Sequence, residues 1–202
     1  LRRTWPYALQ LALRLLSRAT MPLNPEPFAN ASEPLEVQAH RLTAQGSFPN
    51  NPRWPALVCR GAFPRLPSIE PAVVIKRAFA SHAWCDGWRD GVYDYHHFHS
   101  TAHEVLGCYA GKARVQLGGP EGPIVEVARG DVLILPAGVA HKRIEADASF
   151  AVVGAYADGR DYDMQCGEPD RTAECTRNIA AVPLPHADPV YGVTGPLLTH
   201  WR

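Results

Sequence analysis

Residues 91–111, GVYDYHHFHSTAHEVLGCYAG, decide how this chain is read. Four of its nine histidines fall between residues 96 and 103, and Glu104 follows at once. On a β-strand alternate side chains share a face, so His97 and His99 project together while His96 and Phe98 point the other way. Two imidazoles so placed on a rigid strand can hold one ion without bending the backbone. Residues 100–103 then make the reversal, and Glu104 opens the returning strand beside its partner. Further on, GDVLILPAGVAH (residues 130–141) offers a buried strand and a Pro136-Ala137-Gly138 turn suited to positive φ at the glycine. Such a turn swings His141 back against the first pair.

The bulk of the chain is consistent with a β-rich domain around that site. Its 202 residues, 46% hydrophobic and 20% charged, are enough for one sizeable core. Twenty basic residues balance twenty acidic ones, which removes any long-range pull on nucleic acid or an anionic membrane. A small-molecule ligand is the partner expected instead. No run reaches the roughly 18 apolar residues of a membrane span. The five cysteines are scattered without a C-x-x-C pair, which predicts reduced thiols in a cytoplasmic protein, with Cys166 and Cys175 the one pair spaced for a bridge. Residues 1–20 carry four arginines and no acid, and Arg14 interrupts their apolar run. They read as an extension ahead of a single domain over residues 21–202 that opens at Met21.

Within that domain, residues 32–46 predict a short helix capped by Ser32 and ended by Gly46. Residues 56–63 predict a strand, and residues 68–79 a second helix with Pro71 early. From residue 88 to 156 short apolar or alternating runs (VYDYHHFH, EVLGCYA, ARVQLGG, IVEVARG, DVLILPAG, HKRIEA, FAVVGAY) are separated by glycine-bearing turns. Such spacing is that of an antiparallel sandwich or barrel. The polar, proline-rich end after Tyr156 reads as an extended arm packed on that barrel. No G-x-S-x-G elbow, phosphate loop or dinucleotide fingerprint is present.

At these residues the chain resembles the cupins. Their first motif is glycine, five residues, His-x-His, three or four residues, glutamate, six residues, glycine; Gly91, His97, His99, Glu104 and Gly111 match it throughout. Their second is glycine, five residues, Pro-x-Gly, two residues, histidine, matched by Gly130, Pro136, Gly138 and His141. The asparagine that closes the second motif is replaced by Glu145, at a position that is not a ligand. SFPNN, GRDYD and VPLPHADPVYGVTGPL extend the likeness to the YjlB-type bacterial cupins over residues 35–201. The resemblance implies an all-β cupin jelly roll, a double-stranded β-helix barrel, with one or two short N-terminal helices and an extended C-terminal arm. It implies one divalent transition metal held by His97, His99, Glu104 and His141, and it settles no substrate. Nitrogen and carboxylate donors suit iron, manganese, nickel, zinc or copper, and the absence of a thiolate disfavours structural zinc.

Around that set, His103 is an alternative to Glu104 as ligand, or a support for one. Tyr93 and Tyr95 share the parity of His97, which makes the Tyr95 phenol a candidate proton donor. Arg143 shares the parity of His141 and can hold a substrate carboxylate. Cys108 reads as a small core residue. The expectation is an enzyme using its metal as a Lewis acid on a small oxygen-rich substrate, of isomerase, epimerase or lyase type. An iron-dependent dioxygenase and a non-catalytic binding or sensor module are the alternatives. The exposed edges and long arms of such barrels point to a homodimer.

Overall fold

Alternation of apolar and polar side chains organises most of the chain, here in a computed structural model whose described residues run from 36 to 202. The arginine-rich extension, the boundary at Met21 and the Ser32 cap lie outside them. Among the described residues six strands form one antiparallel sheet, in the order β1 (Glu36–His40), β2 (Ala56–Arg60), β7 (Val132–Leu135), β4 (Glu104–Ala110), β9 (Ala151–Ala157) and β3 (Trp84–Asp90). Three more form a second sheet, β6 (Ile124–Ala128), β5 (Lys112–Leu117) and β8 (His141–Ala146). The inner faces meet in one core, where Leu106, Leu133 and Val152 of the first sheet join Val115, Leu117 and Val127 of the second. Neighbouring strands that are distant in sequence, such as β7, β4 and β9, are those of a jelly roll rather than a meander.

β4 is buried on both faces because a helix covers its outer side. α1 (Pro71–Ser81) turns Ala72, Ile75, Ala78 and Phe79 inward at helical spacing. Full burial of Ile75 and Phe79 contributes about 1.5–3 kcal/mol each. The helix approaches closely only because residue 107 is glycine: a Cβ there would lie 2.6 Å from Ile75 Cγ2 and 2.9 Å from Phe79 Cζ.

Three expectations are corrected. Residues 36–40, read as part of a helix, form β1: Val37 and Ala39 alternate with Glu36, Gln38 and His40, and the segment completes the otherwise open edge of β2. VYDYHHFH is not a regular strand. It bends at Asp94 and Tyr95 and meets β8 through the bridge His97–His141 and a bond of 2.8 Å from Arg143 N–H to Tyr93 O, with a further bridge between Phe98 and Gln165. The C-terminal arm does not stay extended: α2 (Thr172–Ala181) buries Cys175 and Ile179 one turn apart, and α3 (Pro196–His200) buries Pro196 and Leu197. All five cysteines are free, so Cys166 and Cys175 form no bridge. Among the described residues no helix is long and apolar enough to cross a membrane.

The turn that delivers His141 is held on every side. Val139 N–H closes it onto Pro136 O at 3.1 Å, and Gly138 N–H donates to His99 O at 2.8 Å. Asn51 Nδ2 donates to Ala137 O at 2.9 Å, while Ala140 N–H donates to Asn50 Oδ1 at 3.2 Å. Both asparagines are almost fully buried, which makes these bonds costly to lose. Gly138 has φ +93°, and a Cβ on it would meet Ile179 Cδ1 at 2.5 Å and Asn50 O at 2.7 Å. Gly91, also a motif glycine, has nothing within 4 Å of such a Cβ. We therefore expect Gly138→Ala to lose about 2–4 kcal/mol in urea unfolding, and Gly91→Ala to stay within about 0.5 kcal/mol of the parent. Equal losses would contradict this reading of the turn.

Candidate functional site

His97, His99, Glu104 and His141 converge between the two sheets. His97 and His141 exchange both backbone hydrogen bonds, His97 N–H to His141 O at 3.2 Å and His141 N–H to His97 O at 2.9 Å. This places their rings 4.1 Å apart. Glu104, first residue of β4, sits opposite Leu135 of β7 on one side and Tyr156 of β9 on the other. Its Oε1 lies 3.5 Å from His99 Nε2 and its Oε2 lies 3.3 Å from His141 Nε2. All four side chains are at most 5% exposed.

Each of the three imidazoles is tied by its Nδ1 to a backbone carbonyl. His97 bonds Tyr95 O at 3.1 Å, His99 bonds Asp163 O at 2.5 Å and His141 bonds Val139 O at 3.2 Å. A carbonyl only accepts, so each Nδ1 carries the proton, and a neutral ring presents its Nε2 lone pair. Asp163 is itself anchored by Ser100 N–H and Oγ–H, both at 2.6 Å, and by Gln165 Nε2 at 2.8 Å. Burial works against its charge, but the bonds from Ser100, Gln165 and Thr101 outweigh that and hold its carboxyl below the usual carboxylate range.

The charges follow from these contacts. Burial would raise the Glu104 pKa, yet the adjacent imidazoles, His99 above all, pull it down to about 2. Burial likewise opposes charge on His99, but the Glu104 carboxylate outweighs it and raises the ring's pKa. His97 and His141 go the other way: burial lowers both, His141 to about 3. At neutral pH an ionised Glu104 faces the neutral rings of His97 and His141. That leaves Glu104 Oε2 buried without a hydrogen-bond partner, pointed at the Nε2 lone pair of His141. The donors do not close into a tight cage. The rings of His97 and His99 are 6.0 Å apart, those of His99 and His141 6.3 Å, and among the described residues no three His, Cys, Asp or Glu stand at metal-binding spacing.

A cavity of about 310 Å³ opens from these residues to the surface. Leu106, Val92, Trp88 and Tyr156 wall it, and the more exposed Tyr93, Tyr162 and Met164 stand at its mouth with Asp86, Arg89 and Asp90. Tyr95 and Arg143 are not among the lining residues. Tyr95 follows the bend at residues 94–95, where its ring stacks on Tyr93 at 4.9 Å and lies 5.6 Å from that of His97. The phenol beside Glu104 is Tyr156, 2% exposed, which accepts a hydrogen bond from Trp88 Nε1 at 3.0 Å. Burial and the Glu104 charge both raise its pKa, so it keeps its proton. Tyr156 lies in a run read as a strand, but only the β4–β9 register brings it opposite Glu104.

His96 turns away from the site to pack on Phe48, ring centroids 5.5 Å apart, as alternation about His97 requires. Cys108 is a core residue whose thiol is pushed up to about 12, chiefly by burial. His103 faces the other side of β4 from Glu104. It is fully buried, its Nδ1 accepts Ala137 N–H at 2.8 Å, and its Nε2–H donates to Pro183 O at 3.1 Å. It thus ties the Pro136–Gly138 turn to the C-terminal arm, with both nitrogens used.

No family model matches the chain. A relative, the uncharacterized protein YjlB of Bacillus subtilis strain 168, is 35% identical over 166 residues, 82% of this chain and 97% of that protein. Among solved structures, an 11S allergen from Cocos nucifera is similar over 46% of this chain and 31% of its own, with 23% identity and a TM-score of 0.33. An acireductone dioxygenase from Bacillus anthracis, with a cadmium ion in its active center, matches 46% of this chain and 63% of its own, with 16% identity and a TM-score of 0.34. A DUF861 family protein from Thermotoga maritima matches 45% of this chain and 92% of its own, with 17% identity and a TM-score of 0.28.

His103 generates a pH dependence of stability. Burial lowers its pKa from 6.5 to about 4, so the unfolded chain takes up the proton first as pH falls. Stability from this residue is therefore complete above pH 6.5 and lost on the way down to about 4. In chelator-treated protein, we expect His103→Asn to flatten the dependence of unfolding free energy on pH between 6 and 5 by nearly one proton, about 1.4 kcal/mol per pH unit. An unchanged slope in urea titrations would contradict a neutral, doubly bonded His103.

Proposed function

The chain belongs to the YjlB-type cupins, and on that footing we propose that it holds one divalent transition metal between His97, His99, Glu104 and His141 and acts on a small oxygen-rich molecule. The observation that carries this reading is the buried Glu104 Oε2, without a hydrogen bond and 3.3 Å from His141 Nε2. A carboxylate oxygen facing an imidazole lone pair in a buried site is unfavourable unless a cation or a proton lies between them. The carbonyl tethers keep protons on Nδ1 and leave Nε2 for a cation. Three imidazole nitrogens and a carboxylate fit iron, manganese, nickel or zinc. When bound, such an ion supplies Lewis acidity, polarising a carbonyl or stabilising an enolate.

The chain's own residues supply the remainder. The cavity admits a small ligand, and its apolar walls at Val92, Leu106 and Trp88 limit water at the buried end. Arg89, Asp86 and Asp90 at the mouth offer partners to the ligand's carboxylate or hydroxyl groups. Tyr156, protonated and facing the buried end beside Glu104, keeps a neutral hydroxyl at the site, and Asp86 and Asp90 at the mouth are the carboxylates able to move a ligand proton. Proton movement at a carbon beside a polarised carbonyl is the chemistry of isomerases, epimerases and lyases, and this is the activity proposed.

The test is elemental analysis of protein purified without chelator or a histidine tag. We expect about one equivalent of one metal, most of it lost in His97→Ala and His141→Ala and retained in His96→Ala. No metal, even after reloading, would overturn the reading, as would equal loss from His96→Ala. Ferrous iron with oxygen uptake would move the activity to a dioxygenase, and a tight ligand recovered unchanged after long incubation would make the protein a binder.

A further inference from the structure

Trp88 and Tyr156 are built into the site more firmly than a cavity wall requires. They stand on adjacent strands, with Trp88 opposite Gly154 across β3–β9 and Tyr156 opposite Glu104 across β4–β9. The Trp88 indole packs against Gly154, where a Cβ would come within 2.2 Å of its Cε2 and Cζ2. No other residue leaves room for that ring. So seated, the indole N–H reaches Tyr156 Oη at 3.0 Å. The phenol ring is fixed as well, stacked on Tyr162 at 4.3 Å and met edge-on by His99 at 5.5 Å.

An indole nitrogen only donates, so Trp88 occupies a lone pair on Tyr156 Oη and the phenolic proton must turn to another acceptor. The carboxylate facing it is Glu104, its cross-strand partner. We propose that Trp88, Tyr156 and Glu104 form one hydrogen-bonded chain, in which Tyr156 is the positioning residue that orients the Glu104 carboxylate towards the imidazoles. This rests on the metal-binding reading of the site and goes beyond it in assigning what aims the carboxylate. A carboxylate of a glutamate can rotate about its last torsion; a donor fixed on one side removes that freedom, leaving one oxygen for its neighbour and the other for a cation. Gly154 belongs to the same device, since it seats the indole.

Two readouts test the chain, one of which needs no metal. Competition titration with zinc(II) should show Tyr156→Phe weakened about 10–100-fold and Trp88→Phe weakened less, with both variants melting cooperatively. The Trp88 indole N–H resonance, followed by ¹H–¹⁵N correlation in zinc-free protein, should move upfield in Tyr156→Phe and also shift in Glu104→Gln, which no longer accepts as a charged group. Zinc affinity in Tyr156→Phe equal to the parent would overturn the proposal. So would a Trp88 resonance that ignores Glu104→Gln, because Tyr156 then has a different acceptor. If the parent protein takes up no zinc, the metal-binding reading fails, and the Trp88 resonance still decides whether the chain to Glu104 exists.

Discussion

Three backbone carbonyls determine what the buried histidines of this protein can do. Tyr95 O, Asp163 O and Val139 O each hold an Nδ1–H, and the opposite nitrogen of each ring is thereby turned inward. An imidazole with no such tether would rotate and exchange tautomers, and its lone pair would have no fixed direction. The elements around the site serve those carbonyls. Asp163 carries its carbonyl to His99 because its own carboxylate is held by Ser100, Thr101 and Gln165. Val139 is presented to His141 by a turn that Asn50, Asn51, His99 and His103 hold from four directions.

A carboxylate placed among such rings sets the electrostatics. Burial alone would neutralise Glu104, and only the neighbouring imidazoles keep it ionised. The same carboxylate raises the pKa of His99, while burial keeps His97 and His141 neutral. The result is a site with a negative charge, inward lone pairs and one carboxylate oxygen lacking a partner. Such an arrangement is unstable on its own terms and favourable around a cation. A cavity opens from these residues to a mouth of mixed charge and aromatic rings.

Much of this was legible in the sequence, because glycine, proline and histidine at fixed spacing constrain the backbone directly. HKRIEA is β8 over the same residues, and EVLGCYA is β4. The segment around Val37 misled because a capping serine and an early proline suit a helix, whereas pairing with the edge of β2 is a property of the assembled sheet. Tyr156 was missed for the same reason: no local pattern reveals which residue of β9 will lie opposite Glu104. Tyr95 keeps its ring beside His97 yet does not line the cavity, because the bend at residues 94–95 sets where its phenol ends and alternation cannot foresee a bend. Main-chain acceptors such as Asp163 O leave no mark on side-chain identity. The choice between His103 and Glu104 needed the structure too, since a reversal of unknown geometry separates them from His99.

The tethers are open to direct observation by long-range ¹H–¹⁵N correlation of the histidine rings in metal-free protein at about pH 8. The account predicts that His97 and His141 appear as Nδ1–H tautomers while His103 appears as the Nε2–H tautomer. An Nε2–H signal from His97 or His141 would place a proton where a metal should sit and contradict the account at its base.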